Sequence, residues 1–190
     1  MPRINNYTFY TTALQAHGET PLGLNWHSQE HQQLRFRILL ALLPKNLSAF
    51  SLGDAGCGFG DFYSYLQEKP KKYLGIDSLE AMQKIAIQQT NSQILLADIT
   101  QSTLPTMDYY ICSGALNILT PFETYLFIAN CYKSSKKGFV FNALYGEKES
   151  KTYNYLTKKQ IQDIATTLHV KKIAYKEGYL ESDITVGFFK

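Results

Sequence analysis

The chain has 190 residues, 45% of them apolar, and a formal net charge of +3. That length fits one domain with a core of its own, and it excludes collagen, coiled coil, disordered tail and secreted mini-protein. The longest apolar run, Ile38 to Leu43, falls far short of the ~20 residues a membrane helix needs. The opening Met1-Pro2-Arg3 leads into a polar stretch with no signal-peptide pattern. Cys57, Cys112 and Cys131 have no close pairing and read as free thiols. The expectation is a cytoplasmic protein with no membrane segment.

In chain order, Tyr7 to His17 reads as a short helix closed by Gly18, and Ser28 to Leu43 as a second stopped by Pro44. Leu34, Ile38, Leu39 and Leu42 form the buried stripe of that second helix, with Arg35 on its border. From residue 46 short apolar runs alternate with helical patterns, the signature of βαβ units around a parallel sheet. Strands are expected over 49–52, 73–76, 94–97, 109–112 and 138–141. Thr120-Pro121-Phe122-Glu123 is a capping box opening a helix through about Lys133. Thr157-Lys158-Lys159-Gln160 is a second box, and its helix sets Ile161, Ile164, Ala165 and Leu168 on one face. The runs 171–175 and 184–189 leave no room for a crossover helix and should pair as an antiparallel hairpin.

The first-half strands end in Asp54, Asp77, Asp98 and Ser113. In an open parallel sheet the ligand crevice lies just beyond such strand ends, so these residues describe one site. Between the first strand and its helix runs Asp54-Ala55-Gly56-Cys57-Gly58-Phe59-Gly60-Asp61, where glycines allow close backbone approach and the helix start offers free N–H groups. The dehydrogenase pattern G-x-G-x-x-G would need glycine at position 61, which is Asp61. Asp77 stands at the spacing where a carboxylate meets a ribose diol in a doubly wound fold.

At these residues the chain resembles the class I S-adenosylmethionine-dependent methyltransferases. The matching pieces are Leu52-Gly53-Asp54-Ala55-Gly56-Cys57-Gly58-Phe59-Gly60, Tyr73-Leu74-Gly75-Ile76-Asp77, Leu96-Ala97-Asp98-Ile99 and Asp108-Tyr109-Tyr110-Ile111-Cys112-Ser113-Gly114. It looks most like a small bacterial subgroup of unassigned substrate, in which a helix like Gln32-Gln33-Leu34-Arg35-Phe36 precedes the glycine loop. Gly53 departs from the family, which usually has a bulky apolar residue there. The resemblance implies an α/β, Rossmann-like, seven-stranded and mostly parallel sheet with a C-terminal antiparallel hairpin and an N-terminal helical cap. It implies one domain over 1–190, with 1–45 as cap and substrate region and 46–190 as cofactor-binding core. The implied cofactor is S-adenosyl-L-methionine. Asp54 would face its methionine ammonium, directly or through water, with Gly56, Cys57, Gly58, Phe59 and Gly60 passing beside the methionine moiety. Asp77 would accept both ribose hydroxyls, with Ser78 next to it. Asp98 would take the adenine amino group, with Leu79 and Ile99 on the ring faces. Ser113 and Gly114 would line the methyl channel, and Arg35 would clamp the carboxylate.

Tyr10, Trp26, Asn117, Asn142 and Tyr145 are the candidate substrate residues, and no catalytic base is assigned. The expected partner is a small-molecule substrate, with the oligomeric state open. A non-catalytic S-adenosylmethionine-binding module and a nucleic-acid methylase are the alternatives. The lysines, spread over 69–72, 136–137, 158–159 and 171–172, read as solvated loop tips and point away from nucleic acid. His27-Ser28-Gln29-Glu30-His31 matches a zinc-peptidase signature, but it straddles a helix start and lacks a third ligand, so no metal is expected. Cys57 is read as a space-filling residue.

Overall fold

The computed structural model describes residues 5–190. Two N-terminal helices, α1 (Asn6–His17) and α2 (Gln29–Leu40), precede an alternation of strands and helices. This runs β1 (Ser51–Ala55), α3 (Asp61–Tyr65), β2 (Lys72–Asp77), α4 (Glu80–Thr90), β3 (Gln93–Leu96) and β4 (Met107–Cys112). It continues through α5 (Pro121–Ser134), β5 (Ser135–Tyr145), β6 (Tyr155–Leu156), α6 (Lys158–Thr167), β7 (Lys172–Glu177) and β8 (Asp183–Phe189). The strand order is β3-β2-β1-β4-β5-β8-β7, with β6 pairing separately on β5. All pairs are parallel except β5–β8 and β7–β8. The seven expected strands and the terminal hairpin are therefore present, and the added β6 has only two residues.

The strand path reverses beside β1, which lies between β2 and β4. Such a switch point leaves a crevice at the carboxyl ends, because the crossover helices depart to opposite faces there. On one face α2 and α3 bring Phe36, Leu39 and Phe62 against Leu52, Ile111 and Val140. On the other, α5 and α6 bring Phe127, Ile128, Ile161 and Ala165 against Tyr110, Phe139 and Phe141. Burying each large apolar side chain is worth about 1.5–3 kcal/mol. Both capping boxes form: the Thr120 hydroxyl accepts from the Glu123 N–H while the Glu123 carboxylate accepts from the Thr120 N–H, and Thr157 and Gln160 repeat the exchange.

Three boundaries differ from expectation for physical reasons. Helix α2 stops at Leu40, because the Leu42 and Leu43 N–H groups bond to the carbonyls of Leu39 and Leu40 in a tighter turn ahead of Pro44. Residues Leu47–Ala49 form a 3₁₀ turn, so β1 starts at Ser51. Strand β5 extends to Ser135–Tyr145, since it is paired by β4 on one side and β8 on the other. Gly53 also finds its reason. A Cβ there would lie 2.3 Å from Cε1 of the buried Tyr110 ring, which occupies the space a larger residue would take.

The fold gathers what the sequence scatters. Lys71, Lys72, Lys136, Lys137, Lys171 and Lys172 all sit at strand starts, and Lys190 follows the end of the reversed strand β8, so these exposed side chains share the amino end of the sheet. Among the described residues no helix is long and apolar enough to cross a membrane.

Candidate active site

At the opposite, carboxyl end of the sheet a cleft runs from Asp54 and Gly56, past Asp77 and Asp98, to Ser113 and Gly114. The glycine loop makes room for it. Gly56, Gly58 and Gly60 have φ of 76°, 55° and 83°, a left-handed backbone that other residues adopt only under strain. Asp77 closes β2 with its carboxylate held between two backbone donors: Gly58 N–H to Oδ2 and Leu79 N–H to Oδ1, both 3.0 Å. Each oxygen keeps a lone pair free to face the cleft. Asp54 is buried, and its Oδ2 accepts from the Tyr73 hydroxyl at 2.7 Å. Asp98 turns on itself, with Thr100 N–H on Oδ1 at 2.9 Å and Gln101 Nε2 on Oδ2 at 3.0 Å. The cleft is roofed by Phe9 and Tyr10 of α1, by Leu24, Asn25 and Trp26, and by Tyr153.

The cleft's charge is one-sided. Among the described residues its lining holds four carboxylates, Asp54, Asp61, Asp77 and Asp98, and no Lys, Arg or His. Burial pushes Asp54 up to about 7, and the neighbouring charges of Asp77 and Asp61 add to this against the Tyr73 hydrogen bond. Burial likewise pushes Asp77 up to about 6, opposed by the backbone donors of Leu79, Gly58 and Ser78. Asp61 is raised by burial too, with the Gln32 hydrogen bond working the other way. Tyr10 is raised far above its ordinary value by burial and then by Asp77, so it keeps its proton at neutral pH. Carboxylates that repel one another at a concave surface are relieved by a cationic ligand.

Of the expected cofactor residues, Asp54, Gly56, Cys57, Gly58, Asp77, Ser78, Leu79, Asp98, Ile99, Ser113 and Gly114 line this cleft. Phe59, Gly60 and Arg35 lie elsewhere. Phe59 is buried against Leu79 and Met82, and Gly60 packs on Thr90 and Ala86 of α4. The expectation that Arg35 clamps a carboxylate in the cleft gives way to a different placement. Its guanidinium pairs with Asp183 on β8 at 2.5 Å and lies 5.0 Å from the centre of the Trp26 ring. Of the substrate candidates, Tyr10, Trp26 and Asn117 line the cleft, whereas Asn142 and Tyr145 do not. Asn142 is buried behind Ser113, accepting from its hydroxyl at 2.8 Å and donating to Thr185 at 2.7 Å. Tyr145 packs at the edge of the core, where its N–H bonds to the Ser182 carbonyl.

Among the lining residues given no role in the sequence analysis are Gln32 and Asp61, joined by a 2.8 Å bond from Gln32 Nε2 to Asp61 Oδ2. Both stood inside quoted motifs, and only the packing of α2 on α3 shows that they meet. The rings of His27 and His31 lie 5.1 Å apart. The described residues hold no group of three or more side chains suited to a metal ion.

Residues 53–138 match the family described as "Methyltransferase domain". No curated protein sequence matches the chain. Solved structures share its fold. Magnesium protoporphyrin IX methyltransferase from Synechocystis PCC 6803, solved with bound SAH, is 14% identical with a TM-score of 0.69, and the match covers 100% of this chain and 89% of that one. Human N-acetylserotonin methyltransferase in complex with SAM is 14% identical with a TM-score of 0.71, over 98% of this chain and 60% of that one. A Thermotoga maritima SAM-dependent methyltransferase, described as a possible histamine N-methyltransferase, is 14% identical with a TM-score of 0.67, over 97% and 95%. Match and fold agree: residues 53–138 resemble a methyltransferase domain, and the mostly parallel sheet with its antiparallel C-terminal strands is the fold of these solved methyltransferases. Two of those structures hold SAH or SAM.

Proposed function

We propose that the protein transfers a methyl group from S-adenosylmethionine to a small molecule. The observation that carries this reading is the cleft's charge: among the described residues, four carboxylates and no basic side chain, around a glycine loop at the sheet's switch point. S-adenosylmethionine brings an ammonium, a sulfonium and a ribose diol, and when bound it supplies an already electrophilic methyl group. The residues present fit it. Asp77, fixed by two backbone N–H groups, has a free lone pair on each oxygen for a hydroxyl pair. Ile99, Leu79 and Met82 offer apolar faces for a flat base beside Asp98.

What the chain itself then has to do is position an acceptor and exclude water. Positioning alone supplies on the order of 7–11 kcal/mol of barrier reduction. Ser113 and Asn117 present neutral polar groups, and Trp26, Phe9, Tyr10 and Tyr153 an aromatic roof, sized for a small molecule. Among the described lining residues, the four carboxylates are the groups able to take a proton from an acceptor at neutral pH. The nucleic-acid alternative draws no support from Lys71, Lys72, Lys136, Lys137, Lys171 and Lys172, which sit at the end of the sheet away from the cleft. The structural relatives named for porphyrin and N-acetylserotonin acceptors support a small-molecule substrate.

Calorimetry tests the assignment. Replacing Asp77 by Ala should weaken S-adenosylmethionine binding by about 1.5–3 kcal/mol, the range for hydrogen bonds to a charged group. Unchanged affinity in a folded variant would remove Asp77 from the site.

A further inference from the structure

The carboxylate expected to meet the methionine ammonium is Asp54, at the end of β1. Its position makes it a poor direct partner. The residue is only 2% exposed, and Oδ2 is already committed to the Tyr73 hydroxyl. Asp61 is the more accessible of the two. It is half-buried and lines the same cleft at the first position of α3. Its Oδ2 is fixed by Gln32 Nε2 at 2.8 Å, and among the described residues its Oδ1 has no partner. Asp54 and Asp61 line the same cleft, at the end of β1 and the start of α3.

Gln32 comes from the N-terminal cap and Asp61 from the glycine loop's helix, so their bond ties cap to core at the cleft wall. A tethered carboxylate with one oxygen free, in a wall whose described residues include no basic group, is a receptor for a cation. The cofactor read above carries two cations, and the ammonium is the one that donates hydrogen bonds. We propose that Asp61, held by Gln32, is the direct ionic partner of the cofactor's methionine ammonium, and that Asp54 serves as a water-linked support behind it. This rests on the cofactor reading of the cleft. It adds a residue that the glycine motif itself does not call for.

The test compares two probes that differ by the amino-acid tail. S-adenosylhomocysteine carries the ammonium; 5′-methylthioadenosine keeps the adenine and ribose but lacks it. In calorimetry, Asp61→Asn should weaken S-adenosylhomocysteine by about tenfold to a hundredfold, as loss of a charged hydrogen-bond partner does. Methylthioadenosine should stay within about twofold of wild type on the same physical ground. Gln32→Leu, which leaves the carboxylate but frees it, should show the same selectivity with a smaller loss. Undiminished S-adenosylhomocysteine binding by Asp61→Asn would overturn the proposal. So would equal weakening of both probes in both variants. Failure of the wild-type protein to bind either probe would instead bring down the cofactor reading itself, and this inference with it.

Discussion

The two ends of the sheet solve the same electrostatic problem in opposite ways. At the amino end the charges are satisfied locally. Asp108 takes both the N–H and the hydroxyl of Ser51, at 2.8 and 2.7 Å, and its own N–H returns a bond to that hydroxyl. Those donors, the Ser51 N–H foremost, hold the Asp108 carboxyl below its usual range. Lys69 and Lys190 cap the carbonyls left open where α3 and α5 end. At the carboxyl end, Asp54, Asp61 and Asp77 line one cleft and are pushed up by burial, with no basic partner among the described lining residues. A fold tolerates that cost where a ligand removes it. The difference shows which end was shaped for stability and which for binding.

Variants at each end should therefore have opposite signatures. The larger effect is expected at the amino end. Asp108→Ala strands the Ser51 N–H and should lower unfolding free energy by about 1.5–3 kcal/mol in denaturant titration, the range for hydrogen bonds to a charged group. Cofactor affinity should not change. A loss of affinity in that variant would mean that the two ends are not independent.

The smaller effect has the reverse sign. Asp54→Asn keeps a partner for the Tyr73 hydroxyl and removes a buried charge. In the ligand-free protein near pH 8 it should raise stability by about 1 kcal/mol, since a carboxylate pushed up by burial disfavours the folded state once ionised. A drop in stability there would show that the ionised form is already paired.

How legible the molecule was follows the same division. The glycine loop, the acidic strand ends, both capping boxes and the terminal hairpin were readable because each is a local pattern with a local physical cause. Arg35 was misplaced because its partner, Asp183, is brought near only when β8 inserts between β5 and β7. Asn142 and Tyr145 lie in the last part of β5, beside the fourth strand, yet one turns behind Ser113 and the other into the core edge. Asp61 was noticed only as the residue that breaks a dehydrogenase pattern, and Gln32 only as part of a helix motif. Their joint wall appears when α2 packs on α3. The gathering of lysines likewise needed the strand order.

The central claim is that the cleft's crowded carboxylates await a cation, and the pH dependence of cofactor binding addresses it most directly. Asp54 and Asp77, raised to about 7 and about 6, favour the folded state while protonated. Ligand-free stability should thus be greatest in acid and decline as pH rises through these values. A cationic ligand needs the ionised forms, so its affinity should move the other way. Calorimetry of S-adenosylhomocysteine between about pH 5 and about pH 7.5, in buffers of different ionisation enthalpy, should show binding that tightens with pH and releases protons. Affinity that is flat across that window, with no proton exchanged, would contradict the account.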